Sequence, residues 1–597
     1  MASQSGQRPF ALGWLENHSW LSLVHMDEKG RMSRLSSLLR RRGVVLPSFE
    51  IYGGVSGLVD YGPVGARIKR RVVNSWIEHW SNVPNVVEID SPTITPESVL
   101  VASGHVGEFN DKMSECKSCR GAFRSDHLLG NLHENADSLD SSELDTLIAK
   151  YGIKCPSCDA QDWEGASPMN LMFKTSIGAM GGSRTAFMRP ETAQGMFMLY
   201  PVLYRHFRQR LPFGAMQTGR GYRNEISPRQ GMIRLREFNM AELEYFIDPE
   251  DPPTNDLSKW PRSVRMLPDP DGPHSGEKQI TFEEAFEAGI VKHPTVAWFL
   301  AMTMQFLVDV GIESSKVRFR QHASSEMAHY ASDCWDCELG GEHGWIEVVG
   351  IANRTCHDLE SHERFSKSAL LRAWRNYDSP VKESREVLKP VGSVVGPAFR
   401  EKAAEVSLAL SELTDLPEKM PFSLILDDGT SVEIGEDMVT RSVQDTVVSG
   451  EYFTPHVIEP AFGIDRIIWH ILDHNYLELE KEDESYTILA LDPSVAPYDL
   501  VVLPLFDKGG MDDMAREILG RIGKISGIIA EMDTSRSIGR RYARSDEIGV
   551  PWAVTVDYQS LDDGTVTIRR RDDQKQVRVE VDSLIECLIS NSLSSLF

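Results

Sequence analysis

The stretch from Gln217 to Phe246, QTGRGYRNEISPRQGMIRLREFNMAELEYF, constrains this chain more than any other. Read at period two, Gly219, Gly221, Arg223 and Glu225 share one face of a strand. After a turn marked by Ser227-Pro228 and Gly231, Arg234, Phe238 and Glu242 share one face of a second strand. A core face would be apolar, and an ordinary solvated face would be mostly Lys, Glu and Thr. This face combines glycines, arginines, carboxylates and one aromatic ring. Strand glycines let a ligand approach the backbone. Paired guanidinium forks suit phosphate oxygens, and a ring beside them can stack on a base. The pattern reads as a nucleotide site. An exposed, salt-bridged hairpin is the plainer alternative.

Three other blocks carry unusual side chains. Met188-Arg189-Pro190-Glu191-Thr192-Ala193-Gln194-Gly195 leads into a predicted helix. In Gly344-Trp345-Ile346-Glu347-Val348-Val349-Gly350 a single carboxylate sits in an apolar strand and needs a partner. Val457-Ile458-Glu459-Pro460-Ala461-Phe462-Gly463-Ile464-Asp465-Arg466 reads as strand, glycine turn and helix, with Arg466 in the first helical turn. Upstream, Pro63 opens a helix in which Val64, Ile68, Val72 and Trp76 recur every fourth residue. That apolar stripe seeks a partner, either the chain's own core or another surface.

A chain of 597 residues is too long for one core, so about two to four domains are expected. A net charge of −25 argues against a nonspecific nucleic-acid coater, yet leaves room for a local basic patch. No apolar run approaches a membrane span. Two CxxC pairs among the eight cysteines, Cys116/Cys119 and Cys155/Cys158, point to zinc and a reducing compartment. A polar, acidic, helical insert from Glu134 to Lys150 separates the pairs. Cys334-x-x-Cys337 and Cys356 show no complete ligand spacing and read as buried thiols. Residues 1–31 differ in composition from the rest of the chain and read as a poorly ordered leader without a secretory signal.

Tyr222-Arg223-Asn224-Glu225, the loop, and Arg234-x-x-x-Phe238-x-x-x-Glu242 resemble motif 2 of class II aminoacyl-tRNA synthetases. The fuller wording, with RPETAQG and the block ending at Arg466 as motif 3, resembles glycyl-tRNA synthetases of the archaeal and eukaryotic homodimeric type. The resemblance runs from about residue 32 to the end. It implies an α+β fold: the class II antiparallel sheet flanked by helices over 32–482, with insertions at about 114–160 and 375–440. A C-terminal α/β anticodon-binding domain is implied over 483–597. So is a cytoplasmic homodimer joined through the motif 1 helix.

The implied reaction is activation of glycine by ATP to glycyl-adenylate, followed by transfer to the 3′ end of tRNA(Gly). Arg223 would hold the α-phosphate, and Arg229 and Arg234 the γ-phosphate end. Phe238 and Arg466 would sandwich adenine while Glu225 reads its amino edge. Arg223 and Arg466 are thus the catalytic pair, and Asn224, Leu235, Val348 and Gly463 complete the ATP site. Glu347 would meet magnesium. Glu191, Glu242 and Glu459 would converge on the glycine ammonium, with Arg124 a further substrate contact. Ala461 departs from the family's usual serine, and its parity with Glu459 aims it at the same pocket. In the C-terminal domain, Arg536, Arg540, Arg541 and Arg544 around Tyr542 read as tRNA contacts.

Overall fold

The structure is a computed structural model of the chain. It describes residues 22–23, 28–133, 136, 139–179, 182–226, 228, 231–323, 327, 331–413, 416–417, 419–426, 428–481 and 484–597. Arg229, and leader residues 1–21 and 24–27, therefore lie outside the described residues. Within the leader, Ser22–Leu23 form a short strand, and a basic helix begins at Glu28.

Among the described residues, nine strands make the central sheet: β1 (Val86–Glu88), β2 (Phe213–Tyr222), β3 (Glu237–Ile247), β4 (Val264–Leu267), β5 (Lys278–Ile280), β6 (Val317–Gln321), β7 (Asp333–Gly341), β8 (Gly344–Thr355) and β9 (His456–Gly463). Their order is β5-β4-β6-β7-β8-β9-β3-β2-β1. Pairing is antiparallel apart from β1 with β2 and β4 with β6. Around it lie α1 (Glu28–Arg41), α2 (Pro63–Ser81), α3 (Ala193–His206), α4 (Pro294–Asp309), α5 (His357–Ser366) and α6 (Ile464–His474).

The two faces of this sheet differ because side chains alternate. Ala241, Leu243, Tyr245, Val349, Ile351 and Phe462 enter the main apolar core. There Trp76 of α2 meets Phe462 at 5.8 Å, and Trp80 meets Phe299 of α4 at 5.3 Å. The alternate residues of the same strands, Glu242, Glu244, Glu459 and Ala461, face the other side. Pro63 starts α2 as expected, and Val64, Ile68, Val72 and Trp76 are all buried inside this chain. The stripe that marks motif 1 is therefore part of the chain's own core, and a dimer would need a different surface of this segment.

Residues 499–597 form a second sheet of β10 (Leu500–Pro504), β11 (Ala530–Met532), β12 (Trp552–Val556), β13 (Thr565–Arg570) and β14 (Gln576–Glu580), ordered β11-β10-β12-β13-β14. β10 runs parallel to both neighbours, so α7 (Met511–Ile522) and α8 (Ile538–Glu547) serve as crossovers. Residues 372–454 form a separate compact unit. Its long strands Ala373–Pro390 and Val439–Phe453 pair with each other, and Leu388, Val395, Val406 and Leu424 give it a small core of its own. In the cysteine-bearing insertion, Asn110–Glu115 pairs with Ala122–Arg124 and Ser167–Asn170. The expected insert helix runs Ser141–Lys150, opened by a capping box of Asp140 and Glu143. No helix among the described residues is long and apolar enough to cross a membrane.

Candidate active site

The hairpin is real, and its register sets Gly221 opposite Phe238 and Gln217 opposite Glu242. The glycines have a different use from the one their position suggests. A Cβ on Gly219 would lie 2.1 Å from Arg189 Nη2, and one on Gly221 would lie 2.6 Å from the Phe238 ring. They admit two side chains of the protein itself, not a ligand directly. Arg189 then donates to the carbonyls of Arg220 and Ser91, both at 2.9 Å, and clamps the strand.

Arg223 lies just past β2. Its guanidinium stands 5.3 Å from the Phe109 ring and 5.4 Å from Phe238. Its Nε is buried and has no hydrogen-bond partner among the described residues. A donor left unpaired between two rings awaits an acceptor. Arg223, Glu225, Arg234, Leu235, Phe238, Glu347, Val348, Gly463 and Arg466 line one cleft with Glu242 and Ala461. Arg234 lies in the loop before β3, 3.9 Å from Glu225. Asn224 is fixed by its backbone N–H, which donates to Leu171 O at 2.6 Å. Arg466 donates through Nε to Ile233 O at 2.9 Å, and through Nη1 to Glu347 O at 2.7 Å and to its carboxylate at 3.2 Å. Two backbone carbonyls thus hold the guanidinium plane at the cleft wall. Glu347 is half exposed on the rim. Arg124 is outside this wall: Asp126 takes it bidentately at 2.7 and 3.1 Å, and Asp111 sits 3.1 Å away.

Four carboxylates, Glu191, Glu242, Glu244 and Glu459, lie within electrostatic reach of one another, and Glu242 lines the cleft. Ala461 lies directly across from Glu242, and the same register sets Glu244 beside Glu459. Thr192 N–H donates to Glu242 at 2.7 Å. Burial, reinforced by the charges of Glu459 and Glu191, still pushes Glu242 up to about 8. Burial also raises Glu459, against the pull of Arg354, whose Nη1 donates to it at 2.9 Å. Burial opposes the charge on Glu191, but His105 at 3.5 Å, Arg354 and Gln194 hold it well below the usual carboxylate range. Glu244 is wholly buried, neither oxygen has a hydrogen-bond partner among the described residues, and burial keeps it neutral far above that range.

Several of these residues carry no motif in the sequence. Arg354, next to last in β8, holds both Glu459 and Asp358, the latter bidentately at 2.8 and 3.1 Å. A signal did exist, since a buried Glu459 requires a cation. Asp465 ties the motifs together: it accepts from Asn239 N–H at 2.6 Å and from the Tyr61 hydroxyl.

The four paired cysteines do converge. Cys116 Sγ lies 3.7 Å from Cys158 Sγ, Cys119 Sγ lies 3.6 Å from Cys155 Sγ, and all four sulfurs fall within 4.8 Å of one another. Those are close to the edges of a thiolate tetrahedron around zinc, about 3.8 Å. The cluster is able to chelate a metal.

In the arginine cluster of the C-terminal domain, Arg541 is buried, Tyr542 and Arg544 are partly exposed, and Arg536 and Arg540 are exposed. Arg541 is 2% exposed and donates to Asp533 O, Leu505 O and Arg536 O, as well as to Pro504 O. Tyr542 bonds Thr555 and lies under Arg569 at 4.8 Å. Arg544 donates to Asp533 at 2.9 Å and to Ser535. Carbonyls at strand ends need donors, and these side chains supply them. Only Arg536 and Arg540 of the set are exposed.

Residues 499–591 match the family model described as anticodon binding domain. Over 560 residues the chain is 44% identical to the glycine–tRNA ligase of Methanothrix thermoacetophila, covering 94% of this chain and 96% of that protein. It is 45% identical to the glycine–tRNA ligase of Methanothermobacter thermautotrophicus, over 93% and 98% of the two chains. For the Methanocaldococcus jannaschii ligase the identity is 44%, over 94% and 99%. With the carboxylate pocket, the arginine-walled cleft and this likeness over nearly the whole chain, the chain belongs to the class II glycine–tRNA ligases of archaeal and eukaryotic type, which activate glycine with ATP and transfer it to tRNA(Gly).

Proposed function

We propose that the cleft divides the two substrates between its ends. Glu191, Glu242 and Glu459 receive the glycine ammonium, and Ala461 lies beside it. Adenine lies between Phe238 and Arg466, with Glu225 at its amino edge. Arg223 takes the α-phosphate, and Arg234 with Arg229 takes the γ-phosphate end. The observation that carries this reading is the Arg223 Nε between Phe109 and Phe238, buried and without a hydrogen-bond partner among the described residues. The glycine carboxylate attacks the α-phosphorus in line, and diphosphate leaves. The protein's part is to position the reactants and neutralise the charge that develops on the phosphate. Glu347 is the carboxylate on the cleft rim that fits magnesium, which screens the phosphate charges when bound. Glycine-dependent pyrophosphate exchange tests the whole assignment. Exchange that responded equally to alanine or proline would sink it.

Glu242 makes the pocket sensitive to pH. Its carboxylate must be ionised to pair with an ammonium, and in the empty pocket it titrates at about 8. The glycine KM is therefore expected to rise by about tenfold per unit as pH falls from 8 to 6. The stability effect has the opposite sign. A carboxyl raised from 4.5 to about 8 contributes stability that is complete below 4.5 and is lost as pH rises through 8. A flat glycine KM over this range would show that Glu242 does not titrate there.

Ala461→Ser places a hydroxyl across from Glu242. One neutral hydrogen bond is worth about 0.5–1.5 kcal/mol, so the glycine KM is expected to fall roughly two- to twelvefold with kcat little changed. An unchanged or higher KM would mean that glycine does not reach this side chain.

For tRNA, the exposed Arg536 and Arg540 carry the contact. Arg536→Glu with Arg540→Glu is expected to raise the tRNA KM and flatten its salt dependence by about 0.7–0.9 log units per lost phosphate contact. Adenylate formation without tRNA should stay at the wild-type rate. Loss of both activities together would assign the pair a structural role.

The four-cysteine cluster fits structural zinc. The cysteines, all free of disulfides, fit the reducing cytoplasm. A homodimer fits the exposed Phe49, Ile51 and Tyr52, which precede α2 and leave its buried stripe undisturbed.

A further inference from the structure

Cys334-x-x-Cys337 lies on β7, so its two thiols point to opposite faces. Cys337 is fully buried in the apolar core. Cys334 emerges on the face that carries Glu459: it pairs with Ala352 of β8, and Ala352 pairs with Glu459 of β9. Asp336 is on the same face, across from Gly350, which is across from Ala461. His322 comes directly after β6, and its backbone N–H donates to Cys334 O at 3.0 Å. Its Nε2 stands 2.8 Å from Asp336 Oδ1. One ligand atom from each of the three residues lies within 4.8 Å of the other two.

We propose that His322, Cys334 and Asp336 form a second metal site, for a thiophilic divalent cation such as zinc, beside the glycine pocket. The donors are one nitrogen, one sulfur and one oxygen, a set that suits zinc; magnesium and calcium prefer oxygen alone. A thiolate and a carboxylate together match two positive charges. Arg320 Nη2 donates to Asp336 Oδ2 at 2.7 Å, which fixes the carboxylate and leaves Oδ1 turned to His322. Ligands oriented by an outer partner are the usual construction of such a site. Three protein donors leave a fourth tetrahedral position for water or another small ligand.

Cys334 and His322 are partly exposed, while Asp336 is buried. Along the sheet, Gly350 and Ala352 of β8 lie between this cluster and Ala461 and Glu459 of β9. A Cβ on Gly350 would have Glu347 Oε1, at 3.9 Å, as its nearest neighbour. The site is thus about two strand spacings, roughly 10 Å, from Glu459 and Ala461. It does not depend on the zinc assigned to Cys116, Cys119, Cys155 and Cys158.

The test uses the full chain, stripped with a chelator, dialysed against zinc chloride at micromolar free zinc and counted by elemental analysis. Wild-type protein is expected to bind one zinc more per chain than Cys334→Ser or His322→Gln. Cys155→Ser should remove a different one, so failure of the four-cysteine cluster would show separately. If Cys334→Ser and His322→Gln both keep the wild-type count, the proposal is overturned. A second measurement uses unaltered protein, free of any folding defect. Zinc should slow alkylation of Cys334, followed by peptide mass spectrometry. An unchanged rate would equally overturn the site.

Discussion

Arg354→Met is expected to destabilise the catalytic domain by roughly 3–5 kcal/mol and to remove measurable glycine activation. The side chain is almost fully buried and answers two buried carboxylates at once, Asp358 through a bidentate pair and Glu459 at 2.9 Å. Methionine fills much of the volume and can still lie against Phe197, which the guanidinium now covers at 5.5 Å. What it cannot do is compensate two charges in a region where burial already raises Glu242, Glu244 and Glu459. The pocket would take up protons instead, and a neutral pocket has no attraction for an ammonium. Arg354→Lys keeps the charge but not the fork, so it should fall between. Thermal melts and the glycine KM check this. A methionine variant that melts and binds glycine like the wild type would show that the carboxylates are satisfied elsewhere.

Arg223→Ala should separate chemistry from folding. Loss of one preorganised donor to a developing charge typically lowers kcat by about 10²–10³. The glycine KM should move far less, because Arg223 is not among the groups that hold Glu191, Glu242 or Glu459. The melt should also change little, since Arg223 Nε has no partner among the described residues and the two rings can close on each other. Lysine at this position should restore only part of the rate, as a point charge without a fork. A kcat within tenfold of wild type would place the α-phosphate away from this arginine.

Much of the site is legible because strands and helices convert spacing into direction. Alternation along β3 and β9 is enough to put Glu242 on one face with Glu459 and Ala461 on its neighbour, and the ladder confirms that they meet. A repeat of four is enough to give α2 a buried stripe, although the pattern is equally consistent with a core and with a partner chain. Two CxxC turns foretell a cluster because each turn can present two thiols to one ion, and the sulfurs do converge. The same spacing makes no such pair at Cys334 and Cys337, where a strand sends the thiols apart.

The arginines around Tyr542 show the other limit. Their clustering is visible along the chain, but the carbonyls of Pro504, Leu505 and Asp533 that take Arg541 come from segments some distance away. The glycines of β2 are similar: their need for space is evident, but Arg189 and Phe238 as the occupants are not. Arg354, Glu244, His105 and Asp465 follow no local rule at all. Each acquires its role from a charge or hydrogen-bonding group brought close by the sheet. Local pattern along this chain thus settles the strands, the helices, the motif order and the family, since those rest on periodicity and on residue types close in sequence. Which charges are paired, which carboxylate keeps its proton and which arginines stay exposed were decided by folding, because burial and pairing arise only when distant segments meet and exclude water.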